Sequence, residues 1–401
     1  MAEIPLGTPQ PQASPQSGFA LFALGFRPFF LLAGMAAVVL LGLWLFMWTG
    51  HLSHNGYYGG IGWHSHEMLF GYSVAVIAGF LLTAVRNWTG IDTPSGGHLA
   101  FLAAVWVLGR LMPFATPPVP PIILTIVDLS FAPLVGVALY RPLMKGGNKV
   151  NRVFLLLLFT MAAANLLIHL QALGISSTAD RGVTLMLNLI LLLITFIGGR
   201  VMPFFTERAI PGAKTRLDPA LERYAYVFLF AFIVLELLYP VPWLAGAVAA
   251  GVGITQAMRL AGWYNRRIWS IPILWVLHIG YIWLVLGFFL KTAAATGWFA
   301  PSVALHAHTI GAIGIMTLGM MARVALGHTG RELRTHTLVN WAFILLNLTA
   351  VLRVFGPAIM PSAYTTWVQV SGGLWVISFL LFLVVYFPIL MRPRVDGRPD
   401  Y

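Results

Sequence analysis

The sequence predicts an all-α polytopic membrane protein with about twelve transmembrane helices in one bundle. Only 9% of the 401 residues are charged and 59% are hydrophobic, with a mean hydropathy of +0.84, whereas soluble domains carry roughly 25% charged residues. A membrane span needs about 20 largely apolar residues, and the chain contains twelve such runs. They cover roughly residues 28–49, 66–85, 98–112, 121–140, 152–173, 182–202, 221–239, 241–259, 269–290, 303–323, 336–354 and 366–390.

The distribution of Lys and Arg supports this topology independently. Loops alternate between basic and nearly uncharged, and 20 of the 24 Lys and Arg residues fall in one set of loops. Basic loops face the cytoplasm, so the pattern predicts an even number of spans with both termini in the cytoplasm. The net charge of +12 therefore reflects topology, and we expect no nucleic-acid partner. The opposite set of loops holds only Arg110, Arg181, Lys291 and Arg353.

The absence of cysteine limits the chemistry of any redox centre. It excludes disulfides, iron–sulfur clusters, thiolate copper centres and thioether-linked haem. His, Met, carboxylate or Tyr side chains would have to hold such a centre. The polar residues 1–18 predict a disordered cytoplasmic N-terminal tail without a cleaved signal. We therefore expect a single membrane domain over residues 19–391 and a cytoplasmic C-terminal tail over residues 392–401.

Histidines are concentrated near the predicted outer face. Two His-x-His pairs, His64/His66 and His306/His308, open spans 2 and 10, which run in the same direction. Because the depths match, one histidine from each span could bind a haem iron from opposite sides. Residues two apart on a helix differ by about 200° around its axis, which favours two centres sharing a helix over one chelate. Seven of the eleven histidines lie in this outer region: His51, His54, His64, His66, His169, His306 and His308.

Ionisable residues within spans are rare and usually functional. Glu67, Glu236 and Asp128 lie in the same outer half, where they could relay protons or pair with Arg110, Arg181 or Arg353. The segment Gly-Arg-Leu-Met-Pro-Phe at 109–114 is echoed by Gly-Arg-Val-Met-Pro-Phe at 199–204. Their arginines, Arg110 and Arg200, are candidate cofactor-binding residues. The two copies point in opposite directions through the membrane, as in the inverted repeats of transporters.

Several long motifs are distributed along the chain. They are His64-Ser65-His66-Glu67-Met68-Leu69-Phe70-Gly71, the segments 79–85 and 87–90, Gly198-Gly199-Arg200-Val201-Met202-Pro203-Phe204-Phe205-Thr206, and the segments 306–314 and 322–331. These motifs resemble the NnrS family, and the similarity covers residues 19–390. Two positions depart from the expected pattern: Arg86 replaces a proline, and His308 replaces an apolar residue. The second departure favours His306 over His308 as a ligand.

The resemblance implies a haem- and copper-containing protein of the bacterial inner membrane that serves the nitric oxide stress response, often alongside denitrification. The family motifs cover His64, His66 and His306, which become the implied ligand candidates. There is a looser likeness to haem–copper oxidases and nitric oxide reductases, whose haem ligands lie on helices 2 and 10 near the outer face. Their paired histidines on spans 6 and 7 are missing here. A second metal would need His51, His54, His169 or a carboxylate.

These observations lead to a functional hypothesis. One or two haems b near the periplasmic face, with or without a histidine-bound copper, would bind nitric oxide and reduce it to N2O. Electrons would come from membrane quinol or a separate donor, and protons would pass through Glu67, Glu236 or Asp128. Two alternatives remain open from the sequence. One is a transporter of a metal, haem or small anion, and the other is a non-catalytic haem sensor of nitric oxide.

Overall fold

A computed structural model describes residues 18–52, 56–115, 118–239 and 241–398. These residues form twelve long helices and no strand. The helices are α1 Phe26–Trp48, α2 Gly60–Thr89, α3 Gly96–Phe114, α4 Pro121–Lys145, α5 Lys149–Ala172, α6 Ala179–Ala209, α7 Pro219–Leu238, α8 Pro242–Trp263, α9 Pro272–Ala295, α10 Pro301–His328, α11 Thr337–Ile359 and α12 Pro361–Met391.

Each of the twelve predicted spans corresponds to one of these helices, so the predicted all-α polytopic fold is confirmed. Eleven are long and apolar enough to cross a membrane. The exception, α7, carries Glu222, Arg223 and Glu236 along its length, yet it packs between α6 and α8 like its neighbours. Helices α2 and α6 extend beyond the predicted runs, because their additional turns are too polar to be recognised as membrane segments. His64 and His66 consequently lie inside α2.

The helices pack as three successive groups of four. In each group the members contact one another in order: α11, α12, α1 and α2; then α3 to α6; then α7 to α10. Helices α2 and α10, at the ends of their groups, are the most buried spans, with 83% and 72% of their most apolar stretch inside the protein. A hydrogen bond of 2.6 Å between the hydroxyls of Tyr72 and Thr317 joins these two helices. The two histidine-bearing helices therefore form the centre of the bundle.

Both central helices change their winding directly after a histidine. A π-helical segment covers Glu67–Ser73 in α2 and Ala307–Gly314 in α10. Such segments are frequent at functional sites because the extra residue re-aims side chains and frees a carbonyl. In α2 the Gly71 carbonyl accepts a hydrogen bond of 3.1 Å from the Trp106 indole nitrogen on α3. The π-helical winding therefore helps to fix the contact between α2 and α3.

The two ends of the bundle differ in their polar groups. The histidine-bearing end is formed by the first turns of α2 and α10 and the last turn of α1, while most Lys and Arg residues lie at the other end. The C-terminal segment packs on the basic end, where the Val395 amide donates to the Thr329 carbonyl at 3.1 Å. The predicted N-terminal tail falls outside the described residues except for Gly18.

Candidate functional site

The two histidines of α2 face different sites. His64 lines a cavity between α2 and α10, whereas His66 is fully buried in a polar cluster on the side of α2 that packs against α3, α4 and α5. This divergence agrees with the angle expected for His-x-His in a helix. Helix α2 thus separates two sites and contributes one imidazole to each.

The cavity has a volume of about 310 Å³. Its wall is largely aromatic and aliphatic, which is typical of a site for a small organic molecule. The walls come from α1, α2, α10, α11 and α12, with one residue from α6. Its aromatic, imidazole and cationic lining side chains include Trp44, Trp48, His64, His306, Arg353, Tyr364 and Trp375.

The two histidines of the cavity are held in different ways. His306 donates its Nδ1–H to the Ser302 carbonyl at 2.7 Å, so its Nε2 keeps a lone pair. This is the arrangement in which a metal-binding histidine is fixed by an oxygen behind it. The His64 ring stacks on Trp44 with centroids 4.5 Å apart, and its buried Nδ1 has no partner among the described residues. The cavity therefore presents two imidazoles from two helices, as an axially ligated haem requires.

The polar cluster contains six buried residues from four helices. Asp128 lies at its centre: its Oδ2 is 3.1 Å from His66 Nε2, 3.0 Å from His169 Nε2 and 2.7 Å from Asn165 Nδ2. Its Oδ1 pairs with Arg110, whose Nε also lies 3.4 Å from Glu67 Oε2. The members are His66 and Glu67 on α2, Arg110 on α3, Asp128 on α4, and Asn165 and His169 on α5.

A chain of hydrogen bonds makes Nδ1 of His169 a donor. The Thr125 hydroxyl donates to the Pro121 carbonyl at 3.0 Å, so it must accept from the Tyr57 hydroxyl at 2.7 Å. Tyr57 has then used its only proton and accepts from His169 Nδ1 at 3.0 Å. In the neutral ring Nε2 of His169 carries a lone pair directed at the Asp128 carboxylate, whereas in the protonated ring Nε2–H donates to that carboxylate at 3.0 Å.

His66 is oriented in the same manner. Its Nδ1 lies 3.1 Å from Glu67 Oε1, and an ionised carboxylate only accepts hydrogen bonds. Its Nε2 lies 3.1 Å from Asp128 Oδ2 and 3.0 Å from Asn165 Oδ1, an amide oxygen that only accepts. One ligand atom from each of His66, Asp128 and His169 lies within 4.8 Å of the others. Either a proton on an Nε2 atom or a cation between the three atoms would satisfy the carboxylate. Two imidazoles and a carboxylate are donors that suit iron, copper and zinc, and the outer oxygens behind both rings are typical of metal-binding histidines.

The net charge of the cluster also indicates that a bound cation or an additional proton is needed. Glu67 and Asp128 contribute two negative charges and Arg110 one positive charge, all in the protein interior. Buried charge is costly unless it is compensated, so the cluster needs one more positive charge. Either a bound cation or a proton on an imidazole supplies it. Tyr58 in the preceding loop closes the cluster, with its hydroxyl 3.2 Å from His66 Nε2; burial raises the pKa of Tyr58 well above its usual value.

The remaining candidates lie away from these two sites. His308 is buried against Phe288 of α9, with ring centroids 4.6 Å apart, and does not line the cavity. Glu236 pairs with Lys291 and accepts from Asn188 at 2.7 Å. Arg200 donates to Asn151 at 2.9 Å near the basic end. His51 is exposed and bonds Thr49 at 2.8 Å, and His54 lies outside the described residues.

Sequence reasoning missed several contributors to the two sites. Asn165 and His169 lie four residues apart on α5 and so share one face, a spacing that pointed to Asn165. Tyr57 and Tyr58 come from a glycine-rich loop, and nothing in the sequence indicates that they fold back over α2. Arg353 was considered only as a partner for a carboxylate. Its place among the four Lys and Arg residues of the sparsely charged loops was the available signal.

Together, the fold and the two sites define a multi-pass membrane protein whose central helices present histidines to a cavity and to a buried carboxylate cluster. The chain belongs to the NnrS family: the family model described as NnrS protein matches residues 20–394. None of the curated proteins matches the chain. Membership supports a role in the nitric oxide response, and the family binds metal and haem.

Proposed function

We propose that the cavity between α2 and α10 binds haem b, that His64 and His306 would hold it, and that nitric oxide reacts there. The observation that carries this proposal is the pair of imidazoles on one cavity, one of them with its Nδ1–H held by the Ser302 carbonyl at 2.7 Å. The aromatic walls fit a flat apolar ring, and His64 lines the same cavity from the opposite helix. We place the site at the periplasmic side of a bacterial inner membrane, with both termini in the cytoplasm, because the histidines lie opposite the basic end.

The reaction we propose is the reduction of two nitric oxide molecules by quinol, 2 NO + QH2 → N2O + H2O + Q. A separate electron donor would serve in place of quinol with the same balance of two electrons and two protons. A bound haem supplies nitric oxide binding at iron and one-electron transfer. The protein's own contribution is to hold the imidazoles and exclude water by the aromatic walls. Nitric oxide is small and apolar, so it reaches the cavity through the lipid.

We further propose that the polar cluster holds a metal ion, with copper as the family's metal, through His66, Asp128 and His169. The convergence of three candidate ligand atoms and the missing positive charge support this assignment. Glu67 and Tyr57 would orient the two imidazoles from behind. In this role Asp128 is a ligand and Glu67 an orienting group, so neither is free to relay protons, and Glu236 is engaged with Lys291.

Optical spectra of the purified full-length protein test the haem assignment. We expect a dithionite-reduced haem b spectrum that nitric oxide perturbs, and loss or change of that spectrum in His64→Ala and His306→Ala. His98→Ala is the matched control, because this exposed histidine lies at the start of α3 at the other end of the bundle. A colourless wild-type protein, produced with haem supplied, would reject the proposal and favour a transporter.

Two further measurements separate the remaining possibilities. Metal analysis should find a stoichiometric metal in the wild type and a loss in His169→Ala, with haem retained. Anaerobic nitric oxide consumption with quinol distinguishes a reductase from a sensor. Bound haem that responds to nitric oxide without any turnover would leave the sensor as the function of this site.

A further inference from the structure

Arg353 on α11 lines the cavity between α2 and α10 and has no acidic partner among the described residues. Two of the other cations of the sparsely charged loops are neutralised: Arg110 by Asp128 and Glu67, and Lys291 by Glu236. Arg353 forms no ion pair within the part of the chain that the structure describes. Its Nη2 donates to the Tyr364 hydroxyl at 3.0 Å, and its guanidinium lies 5.2 Å from the centre of the Tyr364 ring. A cation therefore borders a largely apolar cavity without an anion to balance it.

The Arg353 side chain is half-buried, and without an acidic partner among the described residues its guanidinium is available to an anionic group of a ligand in the cavity. Arginine recognises carboxylates with particular strength because its planar fork donates two parallel hydrogen bonds. Tyr364 also lines the cavity, and its ring and hydroxyl hold the guanidinium in place. The cavity is therefore complementary to a ligand with an apolar body and a carboxylate at one edge.

We propose that Arg353 binds a carboxylate group of the molecule that His64 and His306 hold, and so selects an acidic amphipathic ligand. This inference rests on the proposed haem function, for which the acidic groups would be the propionates. Arg353 is then a specificity-determining residue, because it binds the carboxylate of the ligand while the two histidines hold the rest of the molecule. Arg181, an exposed cation of the same end that does not line the cavity, has no such role.

Titration of the full-length protein with haem and with haem dimethyl ester, which lacks free carboxylates, tests this role by binding alone. We expect the wild type to bind haem at least about tenfold more tightly than the ester, as a charge-assisted pair of hydrogen bonds provides. In Arg353→Gln the affinity for haem should fall to that for the ester, while the affinity for the ester stays unchanged. Arg181→Gln should keep the wild-type preference.

The outcomes are distinguishable. Unchanged ester binding shows that Arg353→Gln is folded, and Arg353→Lys, which keeps the charge but not the fork, should retain part of the preference. If wild type and Arg353→Gln discriminate equally between the two porphyrins, the role of Arg353 is rejected and the haem site stands. If the wild type binds neither porphyrin, the haem proposal itself fails and this inference fails with it.

Discussion

The Nδ1–H of His306 donates to the carbonyl oxygen of Ser302, one turn earlier on α10, at a distance of 2.7 Å. This bond fixes both the tautomer and the orientation of the His306 ring. His64, on the other wall of the cavity, stacks on Trp44, and its Nδ1 has no hydrogen-bond partner in the described part of the chain. The two proposed ligands therefore differ in how firmly the protein holds them.

This difference predicts unequal effects of removing the two histidines. Losing the pre-oriented ligand, as in His306→Ala, should lower haem affinity by more than the roughly 10–100-fold that is typical when only the group orienting a metal ligand is removed. The His64→Ala variant should retain more of its haem, because the pre-oriented His306 would still hold it. The haem-to-protein ratio and the absorption spectrum measure both effects. Equal loss of haem in the two variants would contradict the assigned asymmetry.

The ion pairs of the polar cluster lead to a prediction about stability. In Arg110→Met two buried carboxylates, Glu67 and Asp128, lose their shared cation, and removing one partner of a buried pair costs about 3–5 kcal/mol. We expect a corresponding fall in the thermal unfolding midpoint in detergent. The double variant Arg110→Met/Glu67→Gln should recover part of the loss, because only one carboxylate then remains unpaired.

The control for this prediction is an exposed ion pair. Arg86 pairs with Asp92 at 3.0 Å, and the Asp92 side chain is 85% exposed. Asp92→Asn should therefore change stability by no more than about 1 kcal/mol. A loss in Arg110→Met as small as that in Asp92→Asn would show that the cluster is compensated in another way.

The spans could be predicted from the sequence because a helix that crosses a membrane needs about 20 largely apolar residues, which a hydropathy pattern detects directly. The sequence also predicted that one histidine from each of the two spans could share a site, since both spans run inward and their histidines lie at one depth, but it did not decide between His64 and His66. Depth does not, however, determine the direction in which a side chain points around the helix axis. His308 therefore failed to join His306 at the cavity, and faces α9 instead.

The polar cluster could not be derived in the same way. Its assembly depends on which helices pack against α2. It also depends on a loop that places Tyr57 beside His169 and Tyr58 beside His66. Both are tertiary features that the sequence pattern does not show. The π-helical segment after His66 has no recognisable sequence pattern either. The carboxylate partners were partly foreseen: Asp128 does pair with Arg110. Glu236 pairs with Lys291, a residue that had not been considered as a partner.

The polar cluster leaves too little space for a side chain at Gly71. A Cβ at this position would lie 2.9 Å from both Arg110 Nη1 and Glu67 Oε2. Overpacking of a buried site costs about 1–3 kcal/mol, which should outweigh the gain in helix propensity. We expect Gly71→Ala to lower the unfolding midpoint and the metal content together.

Gly373 on α12 provides the matched control for this substitution. Nothing lies within 4 Å of a Cβ built there, and alanine is favoured over glycine in a helix by about 1 kcal/mol. Gly373→Ala should therefore be neutral or slightly stabilising. If Gly71→Ala behaves in the same way, the close packing around the cluster is not important for stability.

Docking of the C-terminal segment on the end of α10 should depend on pH through Asp396. Hydrogen bonds from Arg394 lower the pKa of Asp396 below its usual value of 3.8. Arg394 also donates to the His328 carbonyl at 2.8 Å, so docking holds Arg394 beside Asp396 and the docked form binds protons less readily than the released form. The contribution of Asp396 to docking is complete above the usual value and is lost as the pH falls through the lowered pKa. Hydrogen exchange of the Val395 amide, which donates to the Thr329 carbonyl, should lose protection in that range after correction for the intrinsic rate.

The variant Asp396→Asn separates this carboxylate from other effects of acid. It should show reduced protection of the Val395 amide already at neutral pH and no further change as the pH falls. The Gly90 amide, which donates to the Arg86 carbonyl at 2.8 Å at the end of α2, serves as an internal control and should respond to neither change. If the Val395 amide keeps its protection in Asp396→Asn, the backbone contact with Thr329 alone holds the segment in place, and the carboxylate has no part in docking.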